Sequence, residues 1–286
     1  MKKAAAFGLA ALVLLAALYF GLTGYFEKRF KGQLDARLAE LKANNGVDIA
    51  YDKLAVDVLA RSAVLSSVSV RTGEGVTAVD SVTVYGLADF DNTCNFAAQG
   101  IDLSGQKNAP AGTGPFPGPA KADLRLDFAY DPKANLAEVR DFRVFVDNYF
   151  ELDVKATILD PPSAASGGNM LRFFLELGDA RIGQARVSYS DRNFLQYVLA
   201  AEALRTGAAE EAVAADYGAT LDGQIAKYEQ RGAPDMAALL TAVKQFARDR
   251  KGIEFVVAPE IPVKIGNLPK DEGQAVALLR VRAKSL

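Results

Sequence analysis

Residues 121–131 read KADLRLDFAYD, and this stretch decides the fold. Ala122, Leu124, Leu126, Phe128 and Tyr130 alternate with Lys121, Asp123, Arg125, Asp127 and Asp131. Successive side chains of an extended chain point to opposite faces, so the run is a strand with one apolar and one charged side. The period recurs in Phe142, Val144 and Val146, and again, past a short turn at Asp147 and Asn148, in Phe150, Leu152, Val154, Ala156 and Ile158. Leu171, Phe173, Leu175 and Leu177, then Ile182, Val187 and Tyr189, continue it, and less regular runs lie at 54–58, 64–70 and 82–85. Strands joined by short turns, with no helices between them, predict an antiparallel meander with one apolar face.

Beyond Ser190 the spacing becomes helical. Phe194, Tyr197, Val198, Ala201 and Leu204 mark a first helix ending near Gly207. Val213, Tyr217, Leu221, Ile225 and Tyr228 mark a second ending near Gly232, and Met236, Leu239, Leu240, Val243 and Phe246 a third ending near Gly252. These helices are expected to cover the apolar face of the sheet in part, or else to pack on one another. The tail from 253 to 286 carries Pro259, Pro262 and Pro269, which predicts edge or irregular extended structure, with 275–281 open to strand or helix. Residues 106–120 and 160–169, rich in Pro, Gly and Ser, read as loops within one domain.

Toward the amino terminus, residues 4–26 (AAAFGLAALVLLAALYFGLTGYF) hold no charge. As a helix they would reach roughly 35 Å, enough for a hydrocarbon core of about 30 Å. Lys2 and Lys3 flank one end, and Phe20, Tyr25 and Phe26 stand where an interfacial belt would form. An uncleaved transmembrane anchor over residues 1–26 is expected, with the lipid bilayer as its partner. A cleaved signal peptide is the alternative, although no A-x-A site follows the run. The flanking lysines favour a bacterial inner membrane with the bulk in the periplasm, while Lys28, Arg29, Lys31 and Arg37 weaken the local charge argument. Residues 27–46 then space Phe30, Leu34, Leu38 and Leu41 on one helical face, a juxtamembrane helix that either lies on lipid or packs on the domain. The remaining residues, 47–286, form one α+β domain: strands to 190, helices over 191–252, then the tail.

Composition narrows the chemistry. The chain has 286 residues, 50% hydrophobic and 24% charged, with net charge -2, one cysteine and no histidine. Without an imidazole, Ser-His-Asp and Cys-His catalysis and histidine-bearing zinc sites are excluded. With Cys94 alone, internal disulfides and thiolate clusters are excluded as well. The near-zero charge argues against nucleic acid as a partner. Gly112, Gly114 and Gly118 lack the strand-to-helix setting of a dinucleotide loop. Asp89 and Asp91 open a calcium-loop pattern that fails at Cys94, where glycine is needed, and at Gly100, where glutamate is needed. No cofactor or metal is expected. Asp141, Asp147, Glu151 and Asp153 read as a solvated strand face more readily than as paired acids, and the Pro259–Pro262 PxxP as ordinary extended chain.

One feature carries a functional reading. Phe128, Tyr130, Phe142, Phe150, Leu152, Phe173 and Leu175 lie on the apolar side of the meander, where they line either a groove for an acyl chain or a core covered by helices. The anchor together with DIAYDKLAVDVLARSAVLSSVSVRTGEGVTAVDSVTVYGL, residues 48–87, resembles the start of AsmA-like bacterial envelope proteins. That resemblance spans residues 1–87 and implies a periplasmic β-groove that handles lipid. The sequence therefore leads to a membrane-anchored, non-enzymatic envelope protein that binds or passes an apolar ligand. A structural or assembly factor for another envelope protein is the alternative, and a histidine-independent hydrolase the third reading.

Overall fold

Asp57 and Asp131 end their strands and build the turns that follow. Asp57 Oδ1 accepts hydrogen bonds from the N–H groups of Leu59 and Ala60, each at 2.9 Å. Asp131 Oδ1 accepts from Lys133 and Ala134 at 2.8 and 3.2 Å. Asn135 closes the Asp131 turn and Asn148 the following one, with φ of 49° and 62°, a region asparagine tolerates well. Turns this tight pair each strand with the next one in sequence.

The computed structural model describes residues 27–36, 38–40, 42–44, 46–73, 75–86, 93–103, 120–161 and 177–286. They form a twelve-stranded antiparallel sheet. Its long strands follow one another in order: β3 (Ser62–Thr72), β4 (Gly75–Tyr85), β5 (Thr93–Asp102), β6 (Lys121–Asp131), β7 (Leu136–Val146), β8 (Phe150–Leu159) and β9 (Arg181–Asp191). The short β1 (Asp48–Ala50) and β2 (Lys53–Asp57) share β3 as neighbour and form one edge. At the far side β10 (Gly252–Val257) and β11 (Val263–Lys264) both pair with β9, and β12 (Arg282–Ser285) pairs with β10.

Register carries one apolar face across this whole width. Leu65 stands opposite Val82, Val82 opposite Ala98, Ala98 opposite Leu124, Leu124 opposite Val144, Val144 opposite Leu152, and Leu152 opposite Tyr189. Irregularities in β5, β7 and β9 interrupt the ladders yet return the pattern to the same side. Bulges bend a strand and increase its twist, so these bend the sheet without exchanging its faces. In β5 the extra residue is Gly100, at φ 64°, whose N–H donates to Asp123 Oδ1 at 2.8 Å.

Helices lie at both ends of the apolar face. Residues 27–44 are helical where described (α1), and Leu34 packs on Leu65, Val68, Val79 and Ala98. Tyr51 ties α1 to the sheet edge: its hydroxyl donates to Asp35 Oδ1 at 2.7 Å and accepts from Lys31 Nζ at 3.0 Å. The Tyr51 hydrogen bond first, and then one that Lys31 Nζ donates to Asp35 Oδ2 at 3.0 Å, hold Asp35 below the usual carboxylate range. At the other end stand α2 (Phe194–Thr206), α3 (Glu210–Gln230) and α4 (Pro234–Asp249), with α5 (Glu272–Leu279) between β11 and β12. Of the three consecutive helices, α4 packs most closely on the sheet, over β10 and β12, while α3 packs on α2 and α4.

The expected architecture, a membrane-spanning helix followed by a meander under a helical cover, is corrected. No helix among the described residues is long and apolar enough to cross a membrane. Residues 4–26, where the sequence places the span, lie outside the described residues. The architecture is dominated by the sheet, with helices at the ends of one face. The tail also differs from expectation, since residues 253–257 form an interior strand. Pro259 and Pro262 follow that strand, so their missing N–H groups cost the ladder nothing. Helix α4 stops at Asp249, with Arg250 at φ 52° as its left-handed cap, and Gly252 already belongs to β10.

At Gly252 the two strands approach so closely that a Cβ would lie 2.7 Å from the Tyr189 carbonyl oxygen. Gly252→Ala is expected to lower unfolding free energy by about 1–3 kcal/mol, the usual cost of overpacking, measured by urea denaturation. An unchanged midpoint would show that the strands separate freely there.

Candidate functional site

A sheet ten strands across is about 48 Å wide at 4.8 Å per strand, and a packed helix covers about 10 Å of it. With α1 on β3 to β5 and the helical block reaching only the Phe150 and Tyr189 ends of β8 and β9, the middle of the apolar face lies between the two helical covers among the described residues. There Leu124 and Leu126 of β6, Phe142 and Val144 of β7, Leu152 and Val154 of β8 and Val187 of β9 are each only half-buried. Leu126 faces Phe142 and Phe142 faces Val154, which in turn faces Val187. The result is a continuous strip of branched and aromatic side chains.

The structure divides the residues that the sequence brings together. Phe142 and Leu152 belong to the strip. Phe128 does not, being 3% exposed and packed with Ala137, Leu126, Tyr130, Val139 and Ile158. Tyr130 flanks that cluster and donates its hydroxyl to Asn135 Oδ1 at 3.3 Å. Phe150 stands in an aromatic corner with Tyr189 and Phe194, at centroid distances of 5.6 and 5.3 Å. Phe173 and Leu175 lie outside the described residues.

That corner anchors the helical block. The Tyr149 carbonyl accepts from the N–H groups of Arg192 and Asn193 at 2.8 and 3.2 Å, which starts α2 at the tip of the β7–β8 hairpin. Phe246 of α4 meets Tyr189 edge-on at 5.6 Å. Tyr189 donates to Asp191 Oδ1 at 2.8 Å, and the same oxygen accepts the Leu195 N–H at 3.0 Å. Burial, then the neighbouring Asp191 carboxylate, push the Tyr189 hydroxyl well above the usual tyrosine range.

The opposite face is charged, and its order is diagonal. Directly across strands like meets like, Arg125 with Arg143 and Asp127 with Asp141. Opposite charges meet on the diagonals, Arg125 with Asp141 at 3.1 Å and Arg143 with Glu151 at 3.6 Å, and along β7 itself, Arg143 with Asp141 at 3.7 Å. Arg143 also meets Asp153 directly across the β7–β8 ladder at 3.3 Å. Asp141, Glu151 and Asp153 are therefore ion-pair partners of one arginine, and Asp147 sits apart in the β7–β8 turn. Among the described residues no group of three or more Asp, Glu or Cys is placed to hold a metal ion.

Two grooves accompany these faces. One of about 730 Å³ lies between α1 and the β1–β2 edge, and its charges are matched by Lys31–Asp35 and Lys42–Asp48 pairs at 3.0 and 2.8 Å. The other, about 600 Å³, crosses β7 to β10 on the charged side between Glu138, Arg140, Lys155, Thr157, Gln184 and Arg186. Period alone marks these six only as outward-facing. Their convergence depends on strand register and on the β7 bulge.

A family model described as "Uncharacterized protein" matches residues 143–285, from the middle of β7 through β12. The chain belongs to that family. The matched half contains the helical block and the strands on which it is built, and lies outside residues 1–87, which carry the resemblance to AsmA-like proteins. No curated protein matches the chain.

Tyr189→Phe removes the hydroxyl from Asp191 and is expected to cost about 1 kcal/mol at neutral pH. A raised folded-state pKa stabilises the fold fully below the unfolded value of about 10, and the contribution is lost as pH climbs from there toward the folded value. Denaturation measured across pH 8–11 should therefore show a shallower alkaline loss for the variant. An identical alkaline slope would remove Tyr189 from the account.

Proposed function

We propose that the apolar strip over β6 to β9 binds an apolar ligand, with a lipid acyl chain as the class that fits, and that the protein works by binding or passing it. The single observation behind this reading is the run of half-buried Leu124, Leu126, Phe142, Val144, Leu152, Val154 and Val187 between two helical covers. Acyl chains need an apolar surface and few polar contacts. The surface offered is longer than one side chain in both directions, as a chain requires.

Magnitudes set what such a surface can do. Burial contributes about 25 cal/mol per Å², so covering about 300 Å² of ligand yields roughly 7 kcal/mol before the loss of ligand freedom. That loss is of comparable size, so binding depends steeply on chain length. A long chain is retained and a short one escapes.

The test is mass spectrometry of lipid carried by the full chain after purification, with titration of fatty acids of eight and sixteen carbons. Co-purified lipid, binding of the longer acid alone, and at least tenfold loss in Phe142→Glu are the expected results. A ligand-free protein that binds neither acid would overturn the reading. A stable complex with a second copy or with another envelope protein through the same strip, again lost in Phe142→Glu, would favour the assembly role in its place.

A further inference from the structure

The groove on the charged face stands apart from the apolar strip, and register gives it its sign. Lys155 of β8 lies directly opposite Arg186 of β9. In β7 the ladder jumps from Val139 opposite Ala156 to Phe142 opposite Val154, so Arg140 and Asp141 together face Lys155. Arg140, Lys155 and Arg186 thus stand on three adjacent strands, each about 4.8 Å from the next, and all three line the groove. Like charges that face each other across strands cost stability.

Elsewhere on this face that cost is offset by carboxylates, as Asp141 does for Arg125 and Arg143. In the groove the compensation is incomplete. Arg186 pairs with Glu254, and Arg140 pairs with Glu138, two residues away on its own strand, at 3.1 Å. Lys155 is exposed and makes no ion pair among the described residues. One step along the ladder Thr157 faces Gln184, adding a hydroxyl and a carboxamide to the same wall. Val256 and Ala258 close the far side with apolar surface. Asp141, which shares the bulge with Arg140, is held by Arg125 and Arg143, and Asp127 opposite it on β6 bounds the row on that side.

We propose that this groove binds a phosphate-bearing ligand, with the Lys155 ammonium as its main charge contact and the Arg140 and Arg186 guanidiniums on either side. Glu138 and Glu254 pair with the two arginines and leave the row with the one unmatched charge of Lys155, which suits an anionic phosphate, and guanidinium groups offer paired donors to two of its oxygens. A groove of about 600 Å³ has room for an organic body beside the phosphate, against Val256 and Ala258. The phosphate can belong to a soluble ester or to a lipid headgroup. This site uses the opposite face of the sheet from the acyl strip, so either assignment stands without the other.

Calorimetric titration of the full chain with glucose 6-phosphate, and flotation with vesicles of phosphatidylglycerol or phosphatidylcholine, test it. Saturable binding of the sugar phosphate but not of glucose, weakened at least tenfold in Lys155→Ala, largely restored in Lys155→Arg and unchanged in Lys133→Ala, is the expected result. Binding to phosphatidylglycerol vesicles alone, with the same response to the variants, assigns the phosphate to a headgroup. Failure to bind either probe overturns the proposal, as does binding that Lys155→Ala leaves intact. Lys155 is exposed, so its replacement leaves the fold in place, and circular dichroism of each variant verifies this.

Discussion

Antiparallel pairing at a two-residue period places most large apolar side chains of β6 to β9 on the same side of the sheet, with Phe145, Leu136 and Leu159 on the other, and the rest of the structure answers to that placement. A lone sheet cannot shield such a face, and water disfavours its exposure in proportion to area. Helix α1 covers one end through Leu34, and the helical block covers the other through Phe194 and Phe246. The face is wider than these covers. What they leave half-buried is the part of the molecule with the strongest claim to a ligand.

The charged face keeps this division from reversing. Its carboxylates and arginines satisfy one another along diagonals, so turning that face inward would require desolvating a whole network. Individually these exposed or half-exposed pairs contribute little stability. Together they decide which side stays wet. Against that order the row of Arg140, Lys155 and Arg186 is conspicuous, because Lys155 at its centre makes no ion pair among the described residues.

Much of this was legible in residues 121–131 and in the runs after them, because period two survives in a single sequence. Three things were not. Strand β5 was hidden because its bulge at Gly100 shifts the period between Ala98 and Ile101, and the stretch beside it imitates a metal loop. The interior position of β10 was hidden because its prolines lie just past the last paired residue. The candidate site was legible only in part: Phe142 and Leu152 lie on the strip, but sealing Phe128 with Ala137 and drawing Phe150 to Phe194 are tertiary events that no strand pattern encodes. The groove row needs the register of three strands, which sequence spacing does not contain.

The two faces of the sheet differ in kind, and on the proposed function only the apolar one receives the acyl ligand. Nitroxide labels placed singly at residues 123 to 127 of the full chain, with Cys94 replaced, measure this most directly through the mobility of each label before and after oleate. The account requires labels at 124 and 126 to be immobilised by oleate while those at 123, 125 and 127 are unaffected. Equal responses at all five positions, or none at 124 and 126, would contradict it.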